Sequence, residues 1–423
     1  MKPDNITIKL IIIALIGGAC LIASLMVFGL VEEREHRFSE AKQDIASMWG
    51  SRQELVGPML IWNRVRTDLP SATETVYLLP ETLDVRTELV PEIRSRGIFD
   101  AVVYTGKMSV SGTFSAKEIE RLRVGSQAVF SVGLTDTRGV QSQVRLLWDA
   151  STYPFNPSAK NPLVSASGVY AEVPVHRGIA AIPFSFELSF KGSEGITVVP
   201  VGTDTRIFVA SSWPTPKFIG AFLPVERDLS NTGFTGGWNI SSFGQTFPHT
   251  GTDRETGPSQ FSASAAGVEL LQQVDLYDQV SRSVKYAVLF ILITFAAFFI
   301  FEVLSGLRVH PVQYLLIGGS LALFYLLLLS FSEQIGFLPS YILSAALTAL
   351  LITAYSARVL QSRRRAYPIS ALLVVLYGYL YFVLQLEDYA LLFGSLLLFA
   401  LLATVMYLTR NVNWFEPAPK NTS

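Results

Sequence analysis

Six apolar runs, each near the length of one bilayer crossing, flank a long middle in which hydrophobic and polar positions alternate. Residues 10–31 carry no charge and are long enough to cross about 30 Å of hydrocarbon at about 1.5 Å rise per residue. Further apolar runs lie at 286–307, 312–332, 336–357, 367–386 and 389–409. The pattern predicts six transmembrane helices, one N-terminal and five forming a C-terminal bundle. Residues 32–49 contain strong helix formers without Pro or Gly, which predicts a helical stalk continuing from the first span. Phe38, Ala41, Ile45 and Met48 would give it a narrow apolar stripe.

Beyond Gly50 the period changes from helical to two. Phe184, Phe186, Leu188 and Phe190 alternate with Ser185, Glu187 and Ser189, and Tyr104, Met108, Val110, Gly112 and Phe114 keep one parity, as half-buried strands do. Other predicted strands are 74–79, 83–90, 127–134, 142–148, 196–201, 206–211 and 267–276. Many short strands with Gly/Pro punctuation predict a large β-rich, sandwich-like domain over 50–285. The Pro-, Asn- and Ser-rich segment 150–174 reads as a lobe boundary or a long loop.

Half of the residues are hydrophobic and 16% are charged, a composition that fits a membrane protein. Charge then sets the orientation. With residues 1–9 in the cytoplasm, alternation through six spans retains Lys2, Lys9, Arg308, Arg358, Arg363, Arg364, Arg365, Arg410 and Lys420 inside. The short outer loops then carry only Glu333, Glu387 and Asp388. The expected product is a multi-pass plasma-membrane protein whose middle segment is exported and whose tail, 410–423, is cytoplasmic. Its partner is the lipid bilayer. Net charge is −1 overall, which gives no basis for nucleic-acid binding.

The single cysteine, Cys20, excludes an intramolecular disulfide framework and any redox pair. Leu21–Val31 continue apolar beyond it, so an uncleaved anchor is expected rather than a lipidated cysteine. The four histidines, His36, His176, His249 and His310, are too scattered for a helical metal site. No G-x-S-x-G, S-x-x-K or GxxxxGK[ST] motif occurs. The expectation is a protein with no catalytic residue, cofactor or metal.

The candidate functional positions are few. Glu302 and Glu333 are ionisable residues in or at the ends of spans, where charge is costly. Glu302 falls within reach of Arg308 or His310. The pair admits proton coupling or contact between spans, against plain interfacial charge reaching headgroups and water. Gly318 and Ala322, four apart, could let two helices approach closely. In the exported part, Trp213–Pro224 combines three aromatics and three prolines without a strand or helix period. It is either a rigid loop presenting Trp213, Phe218 and Phe222 to a partner or a loop folded over the sheet with its rings buried.

Several segments together resemble the CreD family of cell-envelope integrity inner-membrane proteins. They are Leu55–Pro58, Leu79–Glu81, Arg96–Phe99, Val103–Gly106, Asp136–Gly139, Ser212–Pro224, Lys285–Ala287, Thr294–Phe295 and Phe299–Glu302. The clearest are His310–Tyr314, Phe324–Ser330 with Ser332–Glu333, and Thr409–Trp414. The resemblance covers the chain end to end. It implies a bacterial inner-membrane protein tied to envelope integrity and to the response to envelope or cell-wall stress, often accompanying a two-component system. The leading expectation is a non-enzymatic protein whose β-rich exported domain binds or braces an envelope component, with an envelope protein or the cell wall as partner. The resemblance implies no catalytic residue. Where the family commonly follows Ser-Glu with histidine, this chain has Gln334, which removes an acid–histidine pair and weakens a proton relay. The alternative is a transporter or lipid-handling protein using Glu302 and Glu333.

Overall fold

The computed structural model describes residues 3–66, 71–141, 143–157, 161, 163–164, 167–175, 181–271, 276–305, 309–359, 363–386 and 389–410. Two compact units emerge: Met1–Phe38 together with Val274–Ser423, and Ser39–Gln273. The helices in chain order are α1 (Pro3–Trp49), α2 (Ala116–Leu122), α3 (Pro258–Ser262), α4 (Leu276–Lys285) and α5 (Ala287–Ser305). They continue with α6 (Pro311–Ile335), α7 (Phe337–Val359), α8 (Arg363–Gln385) and α9 (Ala390–Thr409). Helix α1 passes from the first unit into the second without a break.

The helical unit is a multi-pass membrane bundle. Among the described residues, five helical stretches are long and apolar enough to cross: Ile8–Trp49, Leu276–Ile300, Pro311–Ile335, Phe337–Val359 and Tyr367–Gln385. Six were expected. The missing one, at 389–409, is helical as α9, but its described apolar part, Leu392–Thr404, is shorter than a crossing.

The second unit is β-rich, as the alternation predicted. Its first nine strands are β1 (Gln53–Val65), β2 (Thr73–Leu78), β3 (Thr82–Arg96), β4 (Phe99–Ser115), β5 (Gln127–Leu134), β6 (Arg145–Trp148), β7 (Ser151–Pro154), β8 (Asn156–Pro157) and β9 (Gly168–Pro174). The others are β10 (Ala181–Ser193), β11 (Gly195–Val198), β12 (Asp204–Ser211), β13 (Pro216–Gly220), β14 (Glu226–Ser230), β15 (Gly233–Ser241), β16 (Thr250–Thr252) and β17 (Ala266–Leu270). A nine-stranded sheet runs β13-β17-β11-β1-β5-β9-β8, with β2 joining β1 to β16. An eight-stranded sheet runs β14-β15-β12-β3-β4-β10-β6-β7.

The alternating phenylalanines of β10 explain why the two sheets meet. Ile182, Phe184, Phe186, Leu188 and Phe190 are buried, and the residues between them face outward. Phe184 lies in register with Gly112 of β4, and Phe190 with Gly106. A Cβ at either glycine would collide with the facing ring, at 2.8 and 2.5 Å. Phe114, Trp148 and Phe184 of the eight-stranded sheet then pack on Phe130 of the nine-stranded one, with centroids 5.3 to 6.1 Å apart. Such packing contributes about 0.5–1.5 kcal/mol per pair beyond burial.

Three expectations change. The segment 150–174, read as a lobe boundary or a long loop, carries strands β7, β8 and β9, with β9 paired to β5 from Gln127↔Pro174 to Gly133↔Gly168. Segment 213–224 contains a strand, β13, paired with β17. On α1, Met48 is 79% exposed, and Trp49 takes the stripe position after Ala41 and Ile45.

Candidate functional sites

In the helical unit both acidic candidates are paired with cations from α1. Glu302 on α5 is 4% exposed and forms an ion pair with Lys9 Nζ, which also donates to the Val309 carbonyl at 2.8 Å. Tyr314 Oη donates to the other carboxylate oxygen at 3.2 Å. The local sequence builds this arrangement at the start of α6. His310 is the N-cap, its Nδ1 accepting from Val312 N at 3.3 Å, while Gln313 Oε1 accepts from His310 N at 2.9 Å. Pro311 occupies the first turn, where a missing N–H costs nothing. Capping fixes the first turn and so aims Tyr314 at Glu302. His310 is therefore a helix cap and not the partner of Glu302, and Arg308 lies outside the described residues.

Glu333, near the end of α6, accepts from Tyr277 Oη at 3.1 Å and lies 3.8 Å from Arg34 Nε. Between the two glutamates, Gly318 meets Cys20, which is 3% exposed. A Cβ at Gly318 would stand 2.4 Å from Cys20 Sγ and 2.8 Å from the Phe295 ring. Gly318 thus admits α1 closely, while its partner Ala322 is buried nearby. Lys9, Cys20 and Arg34 span about 37 Å of helix, so α1 is held at three heights. A carboxylate in an apolar interior is costly unless paired and hydrogen-bonded, and each glutamate has one cation and one tyrosine hydroxyl beside it.

In the β-rich unit, Trp213, Phe218 and Phe222 are half-buried against the core. Trp213 Nε1 donates to the Leu271 carbonyl at 2.8 Å, beside Thr215 Oγ1 at 2.7 Å. The Phe218 ring meets Phe234 and Trp238 edge-on, at 6.1 and 5.8 Å. Trp238 Nε1 donates to the Phe222 carbonyl at 3.0 Å. The segment carries the chain from β12 in one sheet to β13 in the other and back to β14, and its three rings rest partly on the core and partly in the open. Leu223, Val225 and Phe243 stay exposed at 75, 71 and 100%.

A third cluster, at Asp136–Gly139, escaped the sequence reading, which named that segment as part of the CreD resemblance. Asp136 is 5% exposed and accepts from Arg138 Nε at 3.0 Å, Arg138 Nη2 at 2.8 Å and Ser51 Oγ at 3.1 Å. The Arg138 guanidinium is the main cause that lowers its carboxyl to about 2. Gln53 Nε2 donates to the carbonyls of Asp136 and Lys191, at 3.1 and 3.0 Å. Next to this knot the α1 terminus is locked: Arg94 and Lys191 each lie over the Trp49 ring, at 4.5 and 4.1 Å, and its Nε1 donates to the Tyr104 carbonyl at 3.1 Å. Arg96 pairs with Asp44 a turn and a half earlier.

The profile of the family described as "Inner membrane protein CreD" matches residues 5–415. The chain belongs to the CreD family. It is 29% identical to the Inner membrane protein CreD of Escherichia coli (strain K12) over 414 residues, covering 93% of this chain and 90% of that protein. With its apolar helices, CreD membership makes this a multi-pass inner-membrane protein. The stretch on which the CreD resemblance is clearest, His310–Tyr314, is the same stretch that caps α6 and delivers Tyr314 to Glu302.

Proposed function

We propose that the chain is a non-enzymatic inner-membrane protein that supports envelope integrity and the response to envelope or cell-wall stress, its β-rich unit lying outside the membrane and binding or bracing an envelope component. The observation that carries this reading is the treatment of α1. In the helical unit, ion pairs hold it at both ends and glycine packing holds it in the middle; in the β-rich unit, Trp49 and the Asp136 knot fix its end. Such fixed, fully paired charges suit an anchor. A transport relay instead needs a carboxylate that can exchange its proton or partner, which favours the bracing reading over a transporter.

Lys2 and Lys9 before the first span, with Arg358 at the end of α7 and Arg363, Arg364 and Arg365 at the start of α8, support a cytoplasmic N-terminus and an exported β-rich unit. Trp213, Phe218 and Phe222, with exposed Leu223 beside them, form the contact surface to an envelope protein or the cell wall. In a strain lacking the native gene, alanine at all three positions is expected to abolish tolerance of envelope stress while the protein remains inserted at normal level. Unchanged tolerance, together with no photocrosslinked partner from positions 213 and 218, would reject this surface.

A further inference from the structure

The outer face of the eight-stranded sheet carries a shelf whose construction the core does not require. On β12, Thr205, Ile207 and Val209 point inward, so Asp204, Arg206 and Phe208 point outward. Phe208 is 44% exposed, an unusual position for a phenylalanine on the solvent face of a sheet. Register places Arg86 of β3 on one side of it and Gly237 of β15 on the other. The next row places Asp84, Arg206 and Asn239 side by side, and Glu226 of β14 lies opposite Gly237. Together they line an open depression of about 550 Å³, a size typical of ligand sites.

Gly237 differs from its neighbour. A Cβ at Gly236 would strike the Phe218 and Trp238 rings at 2.8 and 3.1 Å, so packing demands a glycine there. At Gly237 the nearest atom to such a Cβ is Glu226 Cβ at 3.5 Å, an ordinary contact. Nothing in the fold forbids a side chain at 237, and its absence leaves the flank of the Phe208 ring open.

We propose that this shelf binds a neutral oligosaccharide segment, with one pyranose stacked on Phe208 and its hydroxyls bonded to Asp84, Arg206, Asn239 and Glu226. The proposal rests on the reading that the β-rich unit faces the envelope. A pyranose has a flat C–H face that suits an aromatic ring and hydroxyls that both donate and accept. Carboxylates supply acceptors, arginine supplies donors and Asn239 supplies both. The lining holds three acids, Asp84, Asp204 and Glu226, against two bases, Arg86 and Arg206, a balance that disfavours phosphate-rich ligands. Strands β12 and β3 are paired on both edges, so a peptide cannot add to them as a strand.

The test uses the full-length protein in detergent micelles with chitotetraose as the probe, read by saturation-transfer NMR and titration. Saturable transfer to the tetramer is expected. Phe208→Ala and Gly237→Leu should each weaken binding at least tenfold, and Glu187→Gln, on the same face but three strands from β12, should leave it unchanged. Thermal unfolding confirms that each variant is folded. No transfer to the wild type, or wild-type affinity in both shelf variants, overturns the proposal. Neither result touches the bracing reading, which stands or falls on stress tolerance of the Trp213, Phe218 and Phe222 variant.

Discussion

Lys9 and Glu302, 293 residues apart in the chain, meet as a buried ion pair that joins the first span to α5. Tyr314 completes it by donating to the second carboxylate oxygen. Removing one partner strands the other charge among apolar side chains, so Lys9→Met is expected to cost about 3–5 kcal/mol. The double variant Lys9→Met/Glu302→Gln should recover most of that loss. A thermal-unfolding double-mutant cycle in detergent measures both, and additive losses would show that the pair does not couple.

Gly318 faces Cys20 with no room for a side chain. Gly318→Leu is expected to destabilise the helical unit by about 1–3 kcal/mol through overpacking. Gly318→Ala with Cys20→Gly should be milder than Gly318→Ala alone, because the second change vacates the space that the new methyl needs. Comparing their unfolding midpoints checks the contact.

The legibility of the chain followed where burial is one-sided. β10 and β4 were readable because alternate residues face core and solvent. β1 was not named as a strand because Leu55–Trp62 is buried on both faces and shows no period. β13 was hidden by its prolines, yet Pro216 opens an edge strand, where a missing donor is tolerated. Glu302 and Glu333 stood out as carboxylates in apolar surroundings. Their partners on α1 did not, since a contact across nearly the whole chain leaves no local signature.

Asp136 gives the β-rich unit a pH dependence. Its carboxyl is depressed in the folded state, from 3.8 to about 2, mainly by Arg138. A depressed acid contributes stability that is complete above about pH 5 and disappears as pH falls toward 2. The contribution is about 2 kcal/mol. Asp136→Asn should therefore lower stability at pH 7 and flatten its decline between pH 5 and 2. Denaturant unfolding at several pH values tests this, and parallel pH profiles for both proteins would contradict it.

Trp49 combines two cationic neighbours with one hydrogen bond to the Tyr104 carbonyl. Trp49→Leu keeps an apolar side chain but removes both kinds of contact, and about 2 kcal/mol of loss is expected. Hydrogen exchange over residues 41–49 should accelerate at least tenfold. Unchanged exchange would mean that Trp49 does not hold the end of α1.

The position of Cys20 has a practical consequence. The sole thiol of the chain is sealed between helices, so a water-soluble maleimide has no native target in the folded protein. Cysteines placed one at a time in the connecting segments would each report their own side of the membrane, with the wild-type sequence as a silent background.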